Sequence, residues 1–262
     1  MEGQDLHGDV VDELFAYAEA DGWPHYTTVP WTEDLRQNPH TDGYVYGDHV
    51  PDYIFLLVEK QADAGGESFF VDGQRVLERL ESDSDAEDLL PLLTTLTFDQ
   101  TECVQNGGVY QGRQSSGPLF VRRDDGRLQW KRMLGESQLQ TPEEMLAEPI
   151  PKSCWAVTDE TRALATELGA TIPPEEVLRR VDLAIQAESE VASRVRLGRG
   201  EAVCIDNYRT LHSREAFGGE SERRLWRIWT WTTSSDGRPD GDAAPVSAPL
   251  DIHLEESQAL KK

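Results

Sequence analysis

Near the start of the chain, Val10, Val11, Leu14, Phe15 and Ala18 recur at helical spacing, acidic residues fill the first turn, and Gly22 follows the run. That pattern predicts an amphipathic helix over 9–21. The period then changes. Tyr53 to Glu59 (YIFLLVE) is an apolar, β-prone run, and Glu67 to Val71 (ESFFV) is another after the turn pair Gly65-Gly66, so both predict strands. Val76 to Leu80 predicts helix, Glu81 to Glu87 a solvated acidic loop, and Leu89 to Phe98 returns to apolar residues. From Val104 to Met133 short β-like pieces alternate with the turn residues NGG, SSG and RDDG, as antiparallel hairpins require.

Further along, Pro142 to Met145, Thr158 to Leu168 and Pro174 to Ala192 predict helices, the last with proline in its first turn and Leu178, Val181, Ala184, Ile185 and Glu188 marking its faces. Val195 to Ile205 (VRLGRGEAVCI) reads as strand, glycine turn and strand, and Arg224 to Thr232 (RLWRIWTWT) is strongly β-prone. From Ser234 onward the chain is rich in Gly, Pro, Asp and Ala without periodicity, which predicts a loose tail. Neither an internal repeat nor a clear linker interrupts 1–262, so a single domain is expected. Strands at both ends with helices at the start and in the middle predict a mainly β fold with added helices, a β-sandwich or jelly roll rather than an alternating α/β sheet. No glycine-rich nucleotide loop competes with that expectation.

Composition narrows the partners. The 262 residues are 38% hydrophobic, enough for a sizeable core and too many for a wholly disordered chain. Lys and Arg total 25 against 49 acidic residues, a formal charge of −24 that repels phosphate backbones and anionic lipid surfaces. No apolar run approaches the roughly 20 residues that span a bilayer. The acidic N-terminal stretch lacks a basic-then-apolar signal, so a cytoplasmic protein with no nucleic-acid or membrane partner is expected. Cys103, Cys154 and Cys204 are far apart and odd in number, which argues against a disulfide framework or a cysteine zinc site and predicts reduced, mostly buried thiols. Nothing in the composition indicates an oligomeric state.

Candidate chemistry lies in two short blocks. His40 sits in Pro39-His40-Thr41-Asp42-Gly43, where an extended backbone would turn His40 and Asp42 to the same side. His212 lies in Asp206-Asn207-Tyr208-Arg209-Thr210-Leu211-His212-Ser213-Arg214, between two late strands that a jelly roll can bring beside the first block. Two histidines and one carboxylate form the ligand set of a non-haem Fe(II) site with open positions. Three of six octahedral positions remain, two for a bidentate cosubstrate and one for dioxygen. An isolated HxD triplet is common by chance, so the surrounding blocks carry the weight. His49 pairs with nothing in the other block, and His7, His25 and His253 read as surface residues.

Those blocks resemble the taurine dioxygenase and clavaminate synthase-like group of Fe(II)/2-oxoglutarate-dependent oxygenases. The likeness rests on HTDG, PDYIFLL, AGGESFF, GEAVCIDNYRTLHSREAF and RRLWRIW, and covers roughly 38–73 and 195–231. It implies a double-stranded β-helix (jelly-roll) core, with His40, Asp42 and His212 as iron ligands and Fe(2+), 2-oxoglutarate and O2 as the reaction's cofactors. It also implies that Ser68, after Gly65-Gly66-Glu67, hydrogen-bonds the far carboxylate of 2-oxoglutarate, and that an arginine after the distal histidine pairs with that carboxylate, for which a planar guanidinium is suited. Arg223, Arg224 and Arg227 all fall in the window. Arg223 and Arg227, four apart, share a strand face, with Arg224 on the other. Arg227 is favoured, then Arg223, because an unpaired charge inside an apolar strand is costly. Arg214 and Asn207 match positions that brace the turn around the distal histidine.

The resemblance implies oxidative decarboxylation of 2-oxoglutarate to succinate and CO2 coupled to oxidation of an unactivated C–H bond. Because Asp42 is present, where halogenating relatives carry a small residue, hydroxylation is expected ahead of desaturation, epoxidation or ring formation. The PDYIFLL passage and the DNYRTLHSREAF block resemble the amino-acid hydroxylases of the clavaminate synthase-like branch more than the sulfonate oxygenases, which implies a free or carrier-bound amino acid. A cationic one would find Tyr44, Tyr46, Asp48, Trp229 and Trp231 available for charge and cation–π contact, unless these are simply core and solvated positions. Only 39 residues precede His40, so a compact or partner-completed pocket is expected. A jelly-roll metal sensor without turnover stays open as the reading from another class.

Overall fold

The run SFFVD alternates its side chains between two environments, and that alternation organises the molecule. In the computed structural model, which describes residues 36–42, 50–106, 109–124, 126–130, 154–218 and 223–232, it forms β4 (Ser68–Asp72). β4 pairs with β12 (Thr210–Arg214), which pairs on its other side with β1 (Gln37–His40), and β10 (Arg194–Val195) closes the sheet in the order β1-β12-β4-β10. Ser68, Phe70 and Asp72 stand opposite Arg214, His212 and Thr210 and so share one face with them. Phe69, Val71 and Leu211 face the other way, into the main hydrophobic cluster.

That cluster is roofed by helices. Asp72 caps α1 (Gly73–Glu81) by accepting from Gln74 N at 2.9 Å, and Val76, Leu77 and Leu80 bury one face. Gly73 is required by packing, since a Cβ there would fall 2.2 Å from Trp130 Nε1. α2 (Ala86–Thr95) buries Leu89, Leu92 and Leu93 at helical spacing while Pro91 sits on its exposed side, so Leu89 to Phe98 divides into a helix end and the first residue of a strand. Thr158 and Thr161 cap α3 (Asp159–Glu167) reciprocally, and α4 (Pro174–Val191) starts on proline and contributes Val177, Leu178, Val181, Ala184 and Ile185 to the same core.

A second sheet has the order β11-β2-β14, from β11 (Ala202–Asp206), β2 (Tyr53–Lys60) and β14 (Arg224–Thr230). Register places Leu225, Arg227 and Trp229 opposite Val58, Leu56 and Ile54, on the face turned toward the first sheet. The smaller pairings are β3 (Ala64–Gly65) with β13 (Phe217–Gly218), β5 (Phe98–Asn106) with β6 (Val109–Gly117) and β9 (Cys154–Ala156), and β7 (Phe120–Arg122) with β8 (Leu128–Trp130). Mainly β content with added helices is therefore present.

The stretch Val195 to Ile205 is strand, turn and strand as expected, with β10 in the first sheet and β11 in the second, so the glycine turn crosses between sheets. One expectation needs correction. Cys204 is exposed, because Ile205 takes the buried face of β11 and its neighbour must point out. The helices expected over 9–21 and 142–145 and the tail from Ser234 lie outside the described residues.

Candidate metal centre

His40 and His212 stand directly opposite each other in the antiparallel ladder between β1 and β12, with ring centroids 4.3 Å apart. Asp42, just past the end of β1, turns its carboxylate toward the pair: Oδ1 lies 3.5 Å from His40 Nε2 and 3.7 Å from His212 Nε2. All three residues are buried, and their candidate ligand atoms lie within 4.8 Å of one another, the one such group among the described residues.

The donor set suits a divalent cation. His40 Nδ1 lies 2.8 Å from the Asn38 carbonyl oxygen, which can only accept, so Nδ1 is the donor there and Nε2 is the ring nitrogen turned to Asp42. The Gln37 amide nitrogen is 3.4 Å from that Nε2. Burial, together with the neighbouring His40, pushes His212 down to about 3, so it is neutral near pH 7. Burial alone would raise Asp42, but the Arg227 guanidinium leads the interactions that outweigh it and hold the carboxyl well below the usual range. Neutral imidazoles and an ionised carboxylate are the forms that bind metal.

β14 supplies the other contacts to Asp42. Arg227 Nη1 donates to both oxygens, at 3.2 Å to Oδ1 and 3.0 Å to Oδ2, and Trp229 Nε1 donates to Oδ2 at 2.8 Å. Asn207, fully buried, accepts from Asp42 N at 2.8 Å and donates to the carbonyls of Asp42 and Pro51 at 2.9 Å each. Beside it, Asp52 accepts from the Tyr208 hydroxyl and from Thr232 N at 2.8 Å, tying the end of the β14 segment to the start of β2.

A second feature of the same face is cationic. Buried Arg223 donates Nε to Gln61 Oε1 at 3.1 Å and packs against Gly66, where a Cβ would meet that Nε at 3.3 Å. Burial first, then the Arg214 and Arg196 charges, lower its guanidinium to about 10, still cationic at neutral pH. No carboxylate among the described residues pairs with it. Ser68, also buried, lies opposite Arg214 in the ladder, so Ser68, Arg214 and Arg223 surround the Gly65-Gly66 turn.

The structure thus brings His40, Asp42 and His212 together and sorts the three arginines by partner. Arg224 pairs with Glu59 at 2.6 Å on the outer face of the second sheet, Arg227 pairs with Asp42, and Arg223 lies before β14. The arginine ranked first from sequence has an internal carboxylate; the second has none. Trp229 contacts a metal-candidate carboxylate rather than forming an ammonium cage, with Trp231 edge-on to it at 6.4 Å. Asn207 braces the Asp42 backbone, not the turn at His212. Sequence reasoning missed Phe70, the strand partner of His212, although its parity with Ser68 signals the shared face. Tyr44, Tyr46, Asp48 and His49 lie outside the described residues.

The family model described as taurine catabolism dioxygenase TauD, TfdA family matches residues 2–229. No curated protein sequence matches the chain. Among solved structures, asparagine oxygenase in complex with Fe(II), 2S,3S-3-hydroxyasparagine and succinate is 19% identical at a TM-score of 0.48, over 78% of this chain and 55% of that one. PvcB from Pseudomonas aeruginosa is 16% identical at 0.47, over 87% and 73%. OrfP in complex with Fe and alpha-ketoglutaric acid is 15% identical at 0.45, over 76% and 50%. The chain spans about half the length of asparagine oxygenase and of OrfP.

Proposed function

The chain belongs to the TauD, TfdA dioxygenase family, and from that premise we propose that it is an Fe(II)- and 2-oxoglutarate-dependent oxygenase hydroxylating an unactivated C–H bond of a small molecule. The observation that carries the proposal is the convergence of two imidazoles, that of His212 held neutral, and one ionised carboxylate within 4.8 Å on a buried face. His40 Nε2, Asp42 Oδ1 and His212 Nε2 would hold the metal. When bound, iron supplies the activation of O2 coupled to decarboxylation of 2-oxoglutarate to succinate and CO2.

The protein's own work is positioning and charge. Arg223 is the guanidinium for the far carboxylate of 2-oxoglutarate, because it is buried, cationic and not paired with a carboxylate, and Ser68 adds a hydroxyl from the facing strand. Arg227 neutralises Asp42 and keeps its carboxylate turned to the histidines. Phe70, opposite His212, gives the pocket an apolar wall. The substrate is a free or carrier-bound amino acid, cationic ones included, a reading supported by the likeness of the DNYRTLHSREAF block to amino-acid hydroxylases.

The test is anaerobic addition of Fe(II) and 2-oxoglutarate, followed by succinate release across an amino-acid panel. A visible metal-to-ligand charge-transfer band and one substrate that accelerates succinate release are expected. Absence of the band overturns the proposal; a protein that binds metal but never forms succinate with any substrate would be a sensor instead.

A further inference from the structure

The two oxygens of Asp42 are not equivalent. Oδ1 faces both imidazoles, 3.5 Å from His40 Nε2 and 3.7 Å from His212 Nε2. Oδ2 points to β14 and accepts from Trp229 Nε1 at 2.8 Å. Arg227 does not discriminate between them, because one nitrogen, Nη1, is shared at 3.2 and 3.0 Å. Trp229 does discriminate: an indole N–H is a single donor on a rigid ring, and its line is spent on Oδ2. The ring is itself held, edge-on to Trp231 at 6.4 Å and 78°, with the Arg227 guanidinium 5.4 Å from its centroid.

We propose that Trp229 is a positioning residue whose N–H pins Oδ2 and so keeps Asp42 a one-oxygen metal ligand. The inference rests on the metal-centre reading above. A carboxylate that swung both oxygens onto the cation would have to break the Trp229 bond, and it would occupy a position that the cosubstrate and O2 need. Residues that orient a ligating carboxylate typically change metal affinity by about 10–100-fold when removed. The role also accounts for a tryptophan on the inner face, where packing alone would be served by any large apolar residue.

The strand contains its own control. Trp226, three residues earlier and on the opposite face, also donates its indole N–H to a carboxylate, Glu59 Oε2 at 2.9 Å, away from the triad. Trp229→Phe and Trp226→Phe therefore remove the same kind of bond from the same strand. Apo-protein is titrated with Mn(II), the free-ion paramagnetic resonance signal is followed, and 2-oxoglutarate affinity is read anaerobically from the Fe(II) charge-transfer band. Trp229→Phe is expected to weaken Mn(II) binding at least about tenfold and to weaken 2-oxoglutarate binding as well. Trp226→Phe should lower the unfolding midpoint by a similar amount and leave both affinities at the wild-type value. Wild-type affinities in Trp229→Phe, or equal losses in the two variants, overturn the proposal. Should Trp229→Phe fail to fold, Trp229→Gln and Trp229→Met replace it: the first restores an N–H donor and must bind Mn(II) several-fold tighter than the second, and equality overturns the role. If the wild-type protein itself binds no Mn(II), the metal-centre reading falls and this inference with it.

Discussion

Asn207 grips the main chain of Asp42 from both sides, accepting from its N–H at 2.8 Å and donating to its carbonyl at 2.9 Å, with a further bond to Pro51 O. One amide thereby joins β11's exit to Asp42, the second residue past β1, and to Pro51, the second residue before β2. Asn207→Ala would leave three buried backbone groups without these bonds, at about 1–3 kcal/mol for an unsatisfied group. Partial rehydration of the cavity limits the expected loss to about 2–4 kcal/mol, read by denaturant unfolding. Mn(II) affinity should fall in the folded fraction, and a stable variant with wild-type affinity would dismiss the brace.

The arginines separate by ligand. Arg223→Gln should weaken 2-oxoglutarate binding by about 2 kcal/mol, roughly thirtyfold, while Mn(II) binding stays within about twofold of wild type. Arg227→Gln should do the reverse, because its charge offsets Asp42. Titrations of both ligands against both variants decide the matter, and an Arg227→Gln protein that loses only 2-oxoglutarate would restore the ranking read from sequence.

Gly65 and Gly66 both have positive φ, 73° and 74°, but for substitution they differ in what a side chain would strike. At Gly65 a Cβ would fall 2.2 Å from Ala216 O, a backbone atom that cannot yield. At Gly66 it would press on Arg223 Nε at 3.3 Å, the movable part of a side chain. Gly66→Ala should cost about 1–2 kcal/mol of backbone strain and, by displacing Arg223, lower 2-oxoglutarate affinity with metal affinity unchanged. Gly65→Ala should cost more stability than that. Calorimetry on the pair, with 2-oxoglutarate titration, checks the ordering.

Acid stability should follow the carboxylates that Arg180 and Arg209 hold. Hydrogen bonds from Arg179 and Arg180 pull Glu176 down to about 2, the Arg180 bond lowers Asp85, and Arg209 lowers Asp72. A folded pKa below the unfolded one means stabilisation that is present above about pH 4.5 and is lost as pH falls toward 2. The unfolding midpoint should therefore decline between those limits, and Arg180→Gln should flatten that decline. These groups are half-buried and reached by solvent, which screens the pairs, so the change should not exceed about 3 °C. An unaltered slope in Arg180→Gln would remove Arg180 from the account.

What could be read in advance was what local pattern encodes. The apolar run in ESFFV marks a strand and the helical spacing of Leu178, Val181, Ala184 and Ile185 marks a face without reference to any distant residue, and the HxD block points two side chains one way. The arginines were beyond that reach. Their partners depend on β14 lying across from Asp42 and on a register shift between Arg224 and Leu225, where Lys60 and then Val58 are the facing residues. Asn207 was misplaced for a similar reason: the family resemblance implied a brace for the turn at His212, whereas its bonds run to residues 165 and 156 positions away. Cys204 was misjudged by residue type, since strand parity overrode the usual preference of cysteine for the interior.

The border of a sheet frays before its middle. Among the described residues His40 sits on a four-residue strand with one neighbour, whereas His212 is carried by an interior strand. Fraying of Gln37–His40 would withdraw His40 while His212 stays on its interior strand and Asp42 stays held by Asn207 and Trp229, so loss of one ligand would not require the whole molecule to unfold.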